Sequence, residues 1–259
     1  MNGNNRRGVV LQVRDLNLLR ELDTMRVIDR EQAKLVAGFG STTRANTRLL
    51  ALTKAGLLRR TFMGTVGSGH KAVYALTAKG AAAVGAKIGE LAFKPADHLV
   101  GSPFLLHQIE INKIYLALKY RPLPREVARL IRWLVFREAI IAAFSLIPDG
   151  YFELETTTAV RAMFVEVDLG TETNRIWRKK VQMYLQLAMS GQFERKFHQP
   201  QFRVLVIAPS GRRLEGIRRV ASHSTSKIFW FASLESINRD GFWSAVWLRP
   251  AGDQRQPLL

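Results

Sequence analysis

"FVEVDLGTET", residues 164–173, decides how the chain is understood. An apolar run rich in β-branched residues reads as a strand buried in a core. Glu166 and Asp168 interrupt it. Side chains alternate along a strand, so these two carboxylates point to one face. Two acids on one face of a core strand repel each other unless a metal ion, a cation or a shared proton lies between them. The rest of the chain must supply that partner.

One candidate lies in the helix predicted over "TETNRIWRKKVQMYLQLAMSG" (171–191). Ile176, Trp177, Val181, Tyr184, Leu187 and Ala188 mark its buried stripe, and Lys180 falls within that stripe. Aimed at the sheet, its ammonium meets Glu166 and Asp168; snorkelling along the stripe's edge is the alternative. Asp149, in "IPDGY", stands at the bend that enters the preceding strand, "SLIPDGYFELE". Taken alone it reads as a turn residue. Asp at a bend, a strand, a turn, a strand with paired acids and a helix with an inward lysine is the order of a PD-(D/E)XK nuclease core. Asp149, Glu166 and Asp168 are then candidate ligands for Mg²⁺ or Mn²⁺, and Lys180 the candidate for activating water.

The first hundred residues follow a different pattern. Leu16, Leu18, Leu19 and Leu22 form a helical stripe, and Asp29 is placed to cap a second helix that Gly38 can end. Ser41 caps a third, "TTRANTRLLALTKAG", with Ala45, Leu49 and Leu52 inward. Thr43, Arg44, Asn46, Thr47 and Arg48 remain outside, and such side chains read base edges and hold phosphates. "LLRRTFM" and "KAVYALT" then read as two strands around "GTVGSGH", a Gly-rich tip that carries His70 next to Lys71. Three helices and a two-stranded wing make the winged helix-turn-helix order. The same pattern also serves as a protein-docking module.

Composition narrows the partner. The 259 residues carry a formal net charge of +18, shared evenly by the two halves, so basicity is no property of a tail. A polyanion such as double-stranded DNA is the expected partner, against a basic surface that binds nothing. With no cysteine there are no disulfides or thiolate sites, and the five histidines lack metal-ligand spacing. No apolar run approaches the ~20 residues of a membrane helix, no signal peptide or phosphate-binding loop is visible, and a cytoplasmic location is expected.

These readings predict an α/β protein: an N-terminal winged helix-turn-helix over 9–88, a linker over 89–103, and a mixed-sheet α/β domain over 104–250. Residues 1–8 and 251–259 are expected as flexible tails. "FWSAVWL" (242–248) is expected as a last strand, and its aromatics as core or a homodimer surface. "LLALTKAGLLRR", "YALTAKG", the helix carrying "HQIEIN", "IPDGYFEL", "FVEVDLGTE", "KKVQMY" and "FRVLVIAP" together resemble the replication-relaxation family of plasmid and conjugative-element proteins. That resemblance implies a winged helix, a nuclease-like fold and DNA work in replication or mobilisation, alongside relaxase or replication proteins. By position the motif acids are Asp149 and Glu166, while Asp168 stands where a lysine is expected. The expected function is a DNA-binding accessory protein on a degenerate nuclease scaffold. A Mg²⁺- or Mn²⁺-dependent nuclease or nickase, and a transcriptional repressor, are the alternatives.

Overall fold

Asp29 caps its helix in the computed structural model. Its carboxylate accepts the Gln32 backbone N–H at 2.8 Å, and the Asp29 N–H donates back to the Gln32 side chain. The structure describes residues 9–64, 69–86, 102–141 and 145–259. Residues 1–8, most of the expected linker and the centre of the Gly-rich tip lie outside them. The class is mixed α/β, with helices and two sheets, in two compact units, Met1–Leu116 and Ala117–Leu259.

The first unit begins with α1 (Val13–Met25), β1 (Val27–Asp29), α2 (Arg30–Ala37) and α3 (Thr42–Lys54). Gly38 ends α2 at φ +62°, a left-handed conformation that suits glycine. Ser41 caps α3 by accepting the Arg44 N–H. β2 (Leu58–Gly64) and β3 (His70–Leu76) pair antiparallel, and β1 adds to the other edge of β3. A three-residue strand is too short to show alternation, and the sequence reading missed it.

A short α4 (Ala78–Ala82) follows, and its "LTAKG" entry has a steric basis. Thr77 accepts the Gly80 N–H at 3.0 Å and donates to the Gly56 carbonyl at 2.6 Å, which draws the turn down onto Leu57. A Cβ at Gly80 would lie 2.1 Å from the Leu57 carbonyl oxygen. Gly80→Ala should therefore destabilise the protein by about 1–3 kcal/mol, read as a lower urea midpoint. An unchanged midpoint would mean that the backbone yields easily there.

Most of α5 (Ser102–Lys119) belongs to the first unit, although residues 104–116 were expected to open the second domain. Buried Asn112 explains this. Its amide donates to the Val27 carbonyl at 2.7 Å, while Gln32 donates to the Ile109 carbonyl at 2.9 Å. Leu105 and Ile109 join Val27, Met63, Val73 and Ala75 in a buried cluster.

The second unit holds β4 (Val127–Leu134), β5 (Gly150–Thr156), β6 (Val160–Val167), α6 (Asn174–Met189) and α7 (Gln192–Phe197). β7 (Phe202–Ala208), α8 (Gly211–Ser222), β8 (Phe229–Ser233) and α9 (Leu234–Asp240) complete it. Its sheet runs β4-β5-β6-β7-β8, antiparallel from β4 to β6 and parallel from β6 to β8. Parallel neighbours need crossovers; α6 and α7 supply the first, α8 the second. Phe164, Phe202, Val204, Val206, Phe229 and Phe231 face these helices in one core. Phe164 sits at its centre, with Tyr151 at 4.9 Å and Phe202 at 5.1 Å between ring centroids.

Two expectations fail at the C-terminal end. "FWSAVWL" is no strand: it makes single bridges, Phe231 to Leu248 and Trp247 to Gln256. The Trp247 indole, bonded to the Phe242 carbonyl at 2.9 Å, curls the segment instead. Nor is 251–259 a loose tail, because Gln256 closes its bridge and Leu258 is fully buried. Among the described residues no helix is long and apolar enough to cross a membrane.

Candidate functional site

β6 ends at Val167, but its line continues, since the Asp168 N–H donates to the Ile207 carbonyl at 2.8 Å. Glu166 and Asp168 therefore keep one face, and both meet side chains of α6. Glu166, 1 % exposed, receives the Lys180 ammonium at 2.7 Å on one oxygen and the Tyr184 hydroxyl at 2.5 Å on the other. The inward lysine is thus found opposite Glu166, with its Nζ 5.2 Å from the Trp177 ring centre. Asp149 enters β5 beside them; its N–H donates to Val165, and its carboxylate accepts the Val167 N–H at 2.7 Å.

Asp168 takes other partners. It accepts the Gly170 N–H and the Trp177 indole N–H, each at 2.5 Å, and an Arg213 N–H from α8. Burial alone would raise its carboxyl, but these bonds outweigh burial and hold it below the usual carboxylate range. The same Arg213 nitrogen donates to the Glu172 carbonyl, pinning the "DLGTET" turn over the end of the sheet.

Glu172 was not anticipated as a member of this site. One of its oxygens lies 2.7 Å from Lys180, and the other is buried without a hydrogen-bond partner. Lys180 thereby faces Glu166, Glu172 and Asp149 together, and their attraction outweighs burial and raises it far above an ordinary lysine. Desolvation dominates at Glu166 and pushes it up to about 7, with repulsion from Asp149 added and the Lys180 attraction only partly offsetting both. One ammonium among three carboxylates leaves surplus negative charge, and a proton on Glu166 near neutrality relieves it. Burial pushes Tyr184 up as well, so its hydroxyl stays a donor. Tyr184 and Trp177 were counted only as apolar stripe. Arg213 stands with Arg212, Arg218 and Arg219 on α8, and nothing local in the sequence marks its partner.

The proposed metal ligands do not assemble as expected. Among the described residues no three Asp, Glu or His side chains gather to hold a metal ion. Glu166 spends both oxygens on Lys180 and Tyr184, and Asp168 is committed to Arg213 and Trp177. A divalent ion needs several carboxylate oxygens aimed at one point, and this donor set does not fit Mg²⁺ or Mn²⁺ held by Asp149, Glu166 and Asp168.

In the first unit Thr43, Arg44, Asn46 and Thr47 are exposed along α3, and His70 is exposed at the start of β3. Two expected contacts have other work. Arg48 is paired with fully buried Asp15 and bonded to the Val10 carbonyl. Lys71 lies 2.5 Å from the Asp29 carboxylate.

The replication-relaxation family model matches residues 19–199, from α1 through α7. The chain belongs to the replication-relaxation family. No curated protein and no solved structure matches it. The family match spans the helices and hairpin of the first unit and the Asp149, Glu166 and Lys180 cluster. It stops before Arg213, so the partner that turns Asp168 into an ion-paired residue lies beyond it. A role related to replication or relaxation follows at the level of the family.

Proposed function

We propose that this chain is a DNA-binding accessory protein of a plasmid or conjugative element, acting in replication, relaxation or mobilisation. The observation that carries this reading is α3, where Ala45, Leu49 and Leu52 are fully buried and Thr43, Arg44, Asn46 and Thr47 face solvent. A helix fixed by its core stripe and its Ser41 cap presents those side chains in one orientation, as a major-groove reader requires. Three helices, a hairpin and a net charge of +18 favour a winged helix on double-stranded DNA. The second unit is then a nuclease-like scaffold kept for binding DNA or a relaxase or replication partner. Glu166, at 1 % exposure and with both oxygens engaged, has no opening for a substrate.

A competition gel shift on duplexes from the element's own replication region tests this. Binding should outlast competition by heparin or tRNA and weaken steeply with salt. Arg44→Ala should cost roughly 1–3 kcal/mol of affinity if Arg44 reads a base. Arg48→Ala should instead lower stability, because it strips buried Asp15 of its partner. Equal affinity for every competitor at low salt would overturn a sequence-specific role.

A further inference from the structure

The sheet of the second unit has a face that the α6–α8 core leaves uncovered by those helices. Alternation places Arg161 of β6, Arg203 of β7 and Trp230 of β8 there, since Ala162, Phe202, Val204, Phe229 and Phe231 point into the core. Arg249 joins them from the segment after α9. The Arg203 and Arg249 guanidinium carbons lie 4.6 and 4.5 Å from the centre of the same Trp230 ring. All three arginines are half-buried, and among the described residues none has a carboxylate partner.

Such a cluster is costly. Guanidinium groups repel one another, and burial, then Arg161, then Arg249 lower Arg203 from its usual value. The bonds that they do make explain only part of the arrangement. Arg203 donates to the Leu258 carbonyl, and Arg249 to the Ser226 and Lys227 carbonyls. Arg161 has no such partner among the described residues. A cleft of about 90 Å³ opens beside Arg161 and Arg203, with Gln201 at its edge, larger than one water needs. The Trp230 indole N–H is buried without an acceptor.

We propose that Arg161, Arg203 and Arg249 form a binding site for one phosphate group. A planar guanidinium presents paired N–H donors that match oxyanions. Three of them call for a tetrahedral anion, which can offer each an oxygen, over a carboxylate with two. The phosphate is either free, as in a small phosphomonoester, or part of a nucleic-acid backbone. The site is separate from α3, and it stands or falls independently of the DNA-reading role proposed there. Arg203 and Arg249 also lie beyond the family match, which ends at residue 199.

Titration calorimetry of the full chain with inorganic phosphate, at ionic strength matched with chloride, provides the test. Arg161→Gln is the informative variant, because Arg203 and Arg249 also hold backbone segments and their loss can unfold the protein. Arg161→Gln should weaken phosphate binding roughly tenfold or more, whereas Arg175→Gln, an exposed cation on α6, should leave it unchanged. No phosphate heat above the chloride control, or equal weakening by both variants, overturns the proposal. A short fluorescent oligonucleotide distinguishes the two sources. Displacement by phosphate that Arg161→Gln abolishes supports a backbone phosphate. An oligonucleotide indifferent to Arg161→Gln, with phosphate binding still lost, supports a free one.

Discussion

Replacing Lys180 with methionine is expected to destabilise the protein by ~3 kcal/mol or more at pH 8, and by much less at pH 5. Methionine keeps an apolar stem against Trp177 and removes only the ammonium. At pH 8 Glu166, 1 % exposed, must then either stay charged with the Tyr184 hydroxyl as its remaining partner or take up a proton that an ordinary glutamate has lost, and both cost stability. At pH 5 it holds a proton and the missing cation matters little. The sign follows from linkage. Glu166 has a folded value near 7 against 4.5 for an ordinary glutamate, so the native state binds more protons between those values. Its contribution is full below about 4.5 and is lost as pH rises through about 7. Without Lys180 the folded value rises further, and the loss continues to higher pH. Urea unfolding of both proteins at pH 5, 7 and 8 measures this directly, and a difference that stays constant with pH would refute it. Adding Glu166→Gln should restore much of the loss at pH 8, because an amide oxygen still accepts from Tyr184 and carries no charge.

What could be read from the sequence, and what could not, divides by the range of the interaction. Asp29 and Ser41 cap helices through N–H groups three residues away, so local pattern suffices to find them. Lys180 opposite Glu166 was legible as well, because the helical period and the strand alternation both fix a direction. Arg213 was not, since its partner Asp168 lies 45 residues earlier and basic residues on α8 look alike in sequence. Arg48 fits the exposed side of α3 taken alone, and only the packing of α1 brings Asp15 to it. Asn112 ties α5 to the first unit through main-chain carbonyls, which every residue has, and so the domain border was misplaced. Glu172 lay within the decisive stretch itself. The helix predicted over 171–191 takes it in, whereas α6 starts at Asn174 and Glu172 belongs to the turn before it, whose fold back to Lys180 nothing local indicates.

Asp168→Lys would place a lysine two residues after Glu166, the spacing that the family resemblance implies, and it is expected to unfold the protein rather than create a nuclease. Asp168 is 2 % exposed and serves three donors at once: the Gly170 N–H, the Trp177 indole and Arg213. A lysine there accepts from none of them and sets an ammonium against a guanidinium. Breaking a buried pair in this way costs about 3–5 kcal/mol, a large part of the stability of most domains. Asp168→Asn separates charge from hydrogen bonding. It keeps an acceptor for Trp177 and loses only the ion pair, so its urea midpoint should fall between those of the wild type and Asp168→Lys. The pH response should change as well. The aspartate is held low, so its contribution is present above about 4 and lost on acidification; the asparagine variant should lack that loss. Incubating each folded protein with supercoiled plasmid and Mn²⁺ completes the comparison. If Asp168→Lys folds with wild-type stability and nicks plasmid in a manner that Glu166→Ala abolishes, the second unit is a nuclease one residue from activity. If it unfolds as expected, the Asp168–Arg213 pair is a structural lock, and the acids of "FVEVDLGTET" hold α6 and α8 onto the sheet.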